Sequence, residues 1–174
     1  MSTANAVLEN TSASAARTDV RAGKYLTFLL DREEFGIQVL QVREIMGLQD
    51  ITAVPQTPHY VKGVINLRGK VIPVLCLRAK FGLPDAAYTA RTCIIVVQIQ
   101  DDGRTLQIGI IVDAVSEVLN VVPSEIEDTP DFGGGLPTPY LLGMAKIKDK
   151  VKILLDIDKV VSPQELPGLH DIAA

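Results

Sequence analysis

The chain has 174 residues, a net charge of −4 and a mean hydropathy of +0.24. An acidic balance argues against a nucleic-acid-binding protein, which needs a basic face. No apolar run approaches the roughly 18 residues of a membrane helix, and residues 1–23 lack the basic start and apolar stretch of a signal peptide. These features predict a cytoplasmic protein with one or two small cores and apolar surface available for partners.

The first elements follow a polar segment, residues 1–23, which is predicted to be a flexible tail. Two apolar runs, YLTFLL and EFGIQV, flank the turn signal at Asp31 and Glu33 and predict a β-hairpin. The next run, VLQVREIM, carries apolar residues at helical spacing and therefore predicts a short helix. These apolar residues are Val39, Val42, Ile45 and Met46.

A second hairpin is predicted in GVINLRGKVIPVLCL, residues 63–77. Gly69 can adopt the left-handed backbone that closes the turn, and Asn66 can hydrogen-bond within it. The turn does not require Arg68, whose guanidinium offers five fixed donors for carboxylates or carbonyls. Pro73 removes a donor from the strand ladder, which predicts a strand edge or a bulge at that point.

The second half of the chain repeats this plan. TCIIVVQIQ and RTLQIGIIV flank the turn Asp101-Asp102-Gly103, and VDAVSEVL again has helical spacing, each apolar position lying 73 residues after its counterpart. Its apolar residues are Val112, Val115, Val118 and Leu119. The last hairpin, GMAKIKDKVKILLDI, is displaced by 80 residues, so seven residues are inserted within the proline- and glycine-rich loop 127–139. A final helical turn and a C-terminal tail, residues 167–174, follow.

The repeat predicts a mainly β fold. Short sequential antiparallel strands close most economically into small barrels, so we expect two similar five-stranded barrels packed side by side, with short helices. CIIVV and VIPVL lack polar alternation, which predicts burial of both strand faces where the barrels meet.

Residues able to perform chemistry are few. The only histidines, His59 and His170, lack metal-ligand spacing, and Cys76 and Cys93 lie in apolar strands typical of buried, reduced thiols. The glycine run 133–135 is not followed by a helix with a lysine, so it is predicted to be a loop and not a phosphate-binding site. Asp113 and Asp156 are predicted to be N-caps or strand-end acceptors, and Glu44 and Glu117 solvated carboxylates. We therefore expect no catalytic residue, metal or cofactor.

Four motifs, VLQVREI, YVKGVINLRGKVIPVLCL, GIIVDAVSEVL and YLLGMAKIKDKVKILLDI, resemble the bacterial chemotaxis coupling family CheW. The resemblance runs from about Tyr25 to Leu166. It implies one domain, residues 24–166, made of two intertwined SH3-like β-barrels. The regulatory domain of the histidine kinase CheA has a similar fold, but the chain lacks a kinase core and the receiver domain of CheV proteins.

The resemblance also implies a non-enzymatic adaptor that joins the cytoplasmic tips of methyl-accepting chemoreceptors to CheA and is recruited from the cytoplasm to receptor arrays. In the family the receptor tip, a helical hairpin, lies in a groove between the barrels. The matching positions here are Val42, Glu44, Gly63 and Arg68, to which the apolar stripe of the second half adds Ile108, Val115 and Val118. The barrel ends are expected to dock on the kinase, through residues that the sequence does not specify.

Several alternatives stay open at the level of sequence. Arg68 either holds the groove through Glu44 or a neighbouring carbonyl, or bonds the receptor directly. A coupling protein of twitching, gliding or another chemosensory pathway would have the same pattern. Small barrels also bind single-stranded nucleic acids, although the absence of tryptophan disfavours this function here. Cys76 stands where the family often has an acid, which predicts an adjustment of the first barrel's core.

Overall fold

The computed structural model of the chain describes residues 20–128 and 140–161. Eleven strands are found in this part of the chain: β1 Gly23–Leu30, β2 Glu33–Gln38, β3 Val42–Gly47, β4 Val61–Leu67, β5 Lys70–Cys76, β6 Cys93–Asp101, β7 Arg104–Val112, β8 Ala114–Val121, β9 Ile126–Glu127, β10 Leu141–Ile147 and β11 Lys150–Leu155. The short helices are α1 Leu77–Lys80 and α2 Ile157–Val160, with 3-10 turns η1 Val39–Gln41 and η2 Pro123–Glu125.

The strands form two sheets, each with strands from both halves of the sequence. One sheet has the order β8-β1-β2-β11-β10-β9 and the other β3-β6-β7-β5-β4. All pairings are antiparallel except β11 with β2 and β5 with β7, which join the two halves in parallel. The mainly β fold with two intertwined barrels is thus confirmed. One sheet has six strands instead of the expected five, because the two-residue strand β9 adds to its edge.

The two predicted helices are wrong. VREIMG forms β3 and AVSEVLNV forms β8, and only residues 39–41 make a 3-10 turn. Each strand contains a bulge, between Val42 and Glu44 in β3 opposite β6 and between Val115 and Val118 in β8 opposite β1. A bulge interrupts the two-residue alternation of a strand. In β3, Val42 and Met46 pack against different hydrophobic clusters while Ile45 is half exposed, so its apolar residues do not alternate with a period of two.

Three hydrophobic clusters explain the apolar strands. A central core takes residues from both sheets, including Phe28 and Ile37 from one and Ile95 and Ile108 from the other. A second cluster lies within the five-stranded sheet and a third within the six-stranded sheet. Residues 94–97 are fully buried, alternately facing the central core and the second cluster, so the predicted burial of CIIVV on both faces is confirmed.

The hairpin turns have the predicted backbone. Arg68 and Gly69 have φ values of 53° and 84°, and the Gly69 amide donates to the Asn66 side-chain oxygen at 2.9 Å. Lys148 and Asp149 have φ values of 52° and 65° in the second copy. The two turns thus share left-handed backbone angles and differ in the side chains that they present.

Of the two acidic residues at strand ends, Asp113 is not the predicted N-cap, whereas Asp156 stands at its predicted N-cap position. Asp113 caps no helix, because β7 continues directly into β8, and its carboxylate instead accepts from Arg78 and from the Asp31 amide. Asp156 occupies the N-cap position of α2 without a side-chain capping hydrogen bond. Pro73 pairs with β4 on one side, and β5 begins to pair with β7 only at Val74, so an edge lies where it was expected.

The predicted tails and the glycine-rich loop lie largely outside the described residues. At the end of the predicted N-terminal tail, Arg21 forms an ion pair with Asp128 at 2.9 Å and donates to the Leu142 carbonyl, and Gly23 begins β1. Within residues 20–128 and 140–161, no helix has the length and apolar character needed to cross a membrane.

Candidate functional site

An ion pair joins the two edges of the five-stranded sheet. β3 and β4 lie at opposite ends of the strand order, yet Arg68, just after β4, donates from Nη2 to Oε1 of Glu44 in β3 at 2.9 Å. The Arg68 side chain is 74% exposed and that of Glu44 is 29% exposed. An ion pair this exposed contributes only about 0–1 kcal/mol to folding. The pair therefore shapes the surface more than it stabilises the barrel.

Gly63 supports this surface through its backbone. It has a φ of 142°, and a Cβ at this position would lie 2.0 Å from the Thr52 carbonyl oxygen. Thr52 and Val64 exchange two backbone hydrogen bonds of 2.9 Å, which hold the 52–53 segment against β4. The residue is buried, so the structure gives Gly63 a packing role beneath the surface instead of a contact at it.

The strand β8 carries the candidate residues of the second half. It is an edge strand paired only with β1, and Val115 packs against the central core while Val118 is 55% exposed. Opposite the bulge in β8, the Thr27 hydroxyl of β1 donates to the Glu117 carbonyl at 3.0 Å and accepts from the Glu117 amide at 3.2 Å. The Thr27 side chain thus satisfies the two backbone polar groups of Glu117 at the bulge.

Each predicted half of the site contributes one valine that contacts the central core. Val42 on β3 and Val115 on β8 are counterparts in the repeat, and both pack against this core from their respective sheets. Ile108 does not reach the surface: it is fully buried in β7, opposite Val97. Its predicted place in the groove is therefore corrected to a place in the core, since a side chain without exposed area cannot contact a partner.

The second barrel has no equivalent of the Arg68–Glu44 pair at the same positions. Glu117, the counterpart of Glu44, lies 4.0 Å from Lys152, a buried lysine that donates to Glu34. The counterpart of Lys152 in the first copy is Ile72, which is fully buried. The repeat therefore carries an exposed guanidinium in one barrel and a buried ammonium in the other.

Comparison with known proteins places this geometry in a family. The family profile described as the CheW-like domain matches residues 24–165. The chain is 37% identical over 150 residues to a protein named chemotaxis protein CheW from Klebsiella aerogenes, covering 86% of this chain and 88% of the relative. It is 35% identical to the Rhizobium meliloti protein of the same name, covering 87% and 96%.

The chain belongs to the CheW-like domain family. A solved structure titled as the scaffolding protein TtCheW from Thermoanaerobacter tengcongensis superposes with a TM-score of 0.72 and 34% identity, covering 81% of this chain and 93% of the other. The CheW-like fold expected from the sequence motifs is thus confirmed.

Several exposed apolar residues of this CheW-like chain escaped the sequence interpretation. Ile45 is the repeat counterpart of Val118 and is nearly as exposed. Val71 and Val151 are also counterparts, half exposed beside the two hairpin turns. The 73- and 80-residue offsets show that these positions are apolar in both copies, and the structure adds that they are exposed, so packing does not explain their apolar character.

The thiols and the described histidine have structural surroundings. Cys76 is buried as predicted, whereas Cys93 is only partly buried. Burial nevertheless raises the pKa of the Cys93 thiol above its ordinary value, which disfavours the reactive thiolate. His59 packs edge-on against Tyr60, and its Nε2 lies 3.3 Å from the Ala79 carbonyl oxygen.

Proposed function

We propose that this chain is a non-enzymatic adaptor that couples methyl-accepting chemoreceptors to the histidine kinase CheA in chemosensory arrays. Its membership of the CheW-like family and the scaffolding title of a similar solved structure support this role. The observation that carries the proposal is the ion pair of the exposed Arg68 with Glu44 on the edge strand β3, where Ile45 is also exposed; the edge strand β8 carries the exposed counterpart, Val118.

The receptor tip is proposed to lie along this surface. An amphipathic helix docks its apolar face in an apolar groove and depends on a few anchor residues. Val118 supplies an exposed anchor, while Val42 and Val115 form the partly buried floor. Gly63 acts indirectly through Thr52, and Ile108 acts only as core.

Arg68 is proposed to have both of the roles that the sequence left open. Its Nη2 holds Glu44, while the 74% exposure of its side chain leaves guanidinium edges accessible to receptor carbonyls or carboxylates. Because Glu44 fixes the guanidinium before binding, less side-chain entropy is lost when the receptor docks.

The kinase is proposed to bind elsewhere, at the hairpin ends of the barrels. Val71 and Val151 are half exposed at equivalent positions, one on each barrel. Two such surfaces allow one adaptor to contact two neighbouring molecules, which a ring-shaped array requires.

The receptor surface is tested by titrating a soluble receptor-tip fragment with purified variants. Arg68→Ala and Val118→Asp should each weaken binding about tenfold or more, as expected for anchor residues. Lys148→Ala is the matched control for Arg68, since it removes a basic side chain from the same position of the other hairpin turn, also with positive φ. Equal affinity of Arg68→Ala and Lys148→Ala would contradict the assignment.

The coupling role is tested by co-sedimentation of CheA with receptor-containing membranes, with kinase activity read on the same samples. Kinase should enter the pellet only when this chain is present. Val151→Asp should lose the kinase but keep the receptor, and Val118→Asp should do the reverse. A wild-type chain that retains neither partner would refute the proposed function.

A further inference from the structure

We propose that Arg78 is a positioning residue for the receptor surface, because it fixes the joint at which the chain enters β8. This inference rests on the proposed function. Arg78 lies in α1, directly after β5, and does not belong to the surface residues described above. Its side chain is only 11% exposed, which is unusual for an arginine and indicates a built structural position.

The joint is the single residue Asp113. β7 ends at Val112 in the five-stranded sheet and β8 begins at Ala114 in the six-stranded sheet, so the chain passes between the barrels across one peptide unit on each side of Asp113. The Asp113 amide donates to the Leu29 carbonyl at 3.0 Å. Val115, the first candidate receptor-surface residue on β8, lies two residues further on.

Arg78 holds this joint from several directions. Its Nη1 donates to Asp113 Oδ2 at 2.6 Å, and its Nη2 lies 3.6 Å from Asp31 Oδ1 in the β1–β2 turn. The Asp31 amide also donates to Asp113 Oδ2, at 2.7 Å. Nε and Nη2 both donate to the Pro84 carbonyl, at 3.0 and 2.6 Å. One guanidinium thus ties α1, the β1–β2 turn, the loop after α1 and the start of β8.

The corresponding joint in the other half of the repeat is built differently. There the chain passes from β2 to β3 through η1, and Leu40 stands at the position of Asp113 with its side chain 94% exposed. Asp158 stands at the position of Arg78 and accepts a hydrogen bond from the Gln100 amide at 3.4 Å. A leucine and an aspartate cannot form an ion pair, so the β2–β3 joint has no equivalent of the Arg78–Asp113 ion pair.

The β2–β3 joint forms without such an ion pair, so folding of a barrel does not by itself require one. The Arg78–Asp113 pair therefore has a function beyond folding. Charged groups held in fixed geometry by several partners restrict the directions that the backbone can take. We infer that the Arg78–Asp113 pair sets the direction of β8, and with it the placement of Val115 and Val118 relative to β3.

The test compares Arg78→Gln, Asp113→Asn and the double variant for affinity to a soluble receptor-tip fragment and for hydrogen exchange of β8 amides in the free chain. Each single variant should weaken binding by about fivefold, a size typical of coupling through positioning. The loss of affinity in the double variant should be smaller than the product of the two single losses, because both changes remove the Arg78–Asp113 contact. Exchange should accelerate at β8 ahead of the remaining strands.

Two further variants separate positioning from general stability. Ile72→Val changes the second hydrophobic cluster and none of the hydrogen-bond partners of Arg78, so it should lower the unfolding midpoint while leaving receptor affinity and β8 exchange unchanged. Arg78→Lys keeps the positive charge and should retain more affinity than Arg78→Gln.

Receptor affinity of Arg78→Gln equal to wild type, fully additive losses, or exchange that rises uniformly across the sheets would each overturn the inference. If the wild-type chain itself fails to bind the receptor, the proposed function is refuted. The exchange of β8 in the unbound chain then decides independently whether Arg78 fixes this strand.

Discussion

Replacing Gly63 by alanine should destabilise the fold, because the added Cβ would clash with the backbone of residues 52–53. The added Cβ would lie 2.0 Å from the Thr52 carbonyl oxygen, 2.7 Å from the Thr52 carbonyl carbon and 3.0 Å from Ala53 Cα. All three are main-chain atoms, so no side-chain rotation can relieve the clash. The Thr52 segment must therefore move away from β4.

The loss in free energy of unfolding has two parts, the backbone hydrogen bonds that the movement breaks and the strain at residue 63. Thr52 and Val64 exchange two hydrogen bonds of 2.9 Å, each contributing about 1 kcal/mol. The φ of 142° adds about 1–3 kcal/mol of strain for a residue with a Cβ. The free energy of unfolding should thus fall by about 3–5 kcal/mol, a large share of the roughly 5–15 kcal/mol of a typical domain.

Urea denaturation followed by circular dichroism measures this loss. Gly69→Ala is the matched control, because Gly69 also has a positive φ, 84°, but no atom within 4 Å of the position of a Cβ. It should lose only about 1–2 kcal/mol. If Gly63→Ala is no less stable than Gly69→Ala, contact with Thr52 is not what demands glycine at this position.

Further predictions concern the core, the buried lysine and pH. Ile108→Ala should lower the free energy of unfolding by about 2–5 kcal/mol in the same denaturation assay. Val118→Ala should change it by less than about 0.5 kcal/mol. Similar losses for the two variants would refute the core placement of Ile108. Lys152→Met leaves the Glu34 carboxylate without its partner and should cost about 1–3 kcal/mol, and an unchanged urea midpoint would contradict this. Burial raises the pKa of Asp156 above its ordinary value, with Lys159 partly opposing the shift. Because the folded chain then binds this proton more tightly than the unfolded chain does, stability falls as the pH rises through the folded-state pKa. Asp156→Asn should remove that fall, so its stability relative to wild type should rise with pH over the acidic range; a constant difference would argue against the shift.

The local rules of the sequence located most strands and turns. Asn66, Gly69 and the Asp102-Gly103 turn have chemistry that works within a few residues, so their geometry was predictable. The same rules failed for VREIMG and AVSEVLNV, because the cores on both faces of these strands come from distant segments. Hydrophobic spacing shows which residues are apolar, but it does not show against which hydrophobic cluster each of them packs.

The sequence by itself determined the repeat, the apolar strands, the turn types and the family, because these depend on short-range patterns and on motif order. Only the tertiary structure decided that strands from the two halves mix in each sheet, that Ile108 is core, and that Arg68 meets Glu44 across the closed barrel. It alone brought Arg78 to Asp113, 35 positions further along the chain. Such contacts depend on how distant strands are arranged, and no local propensity encodes that arrangement.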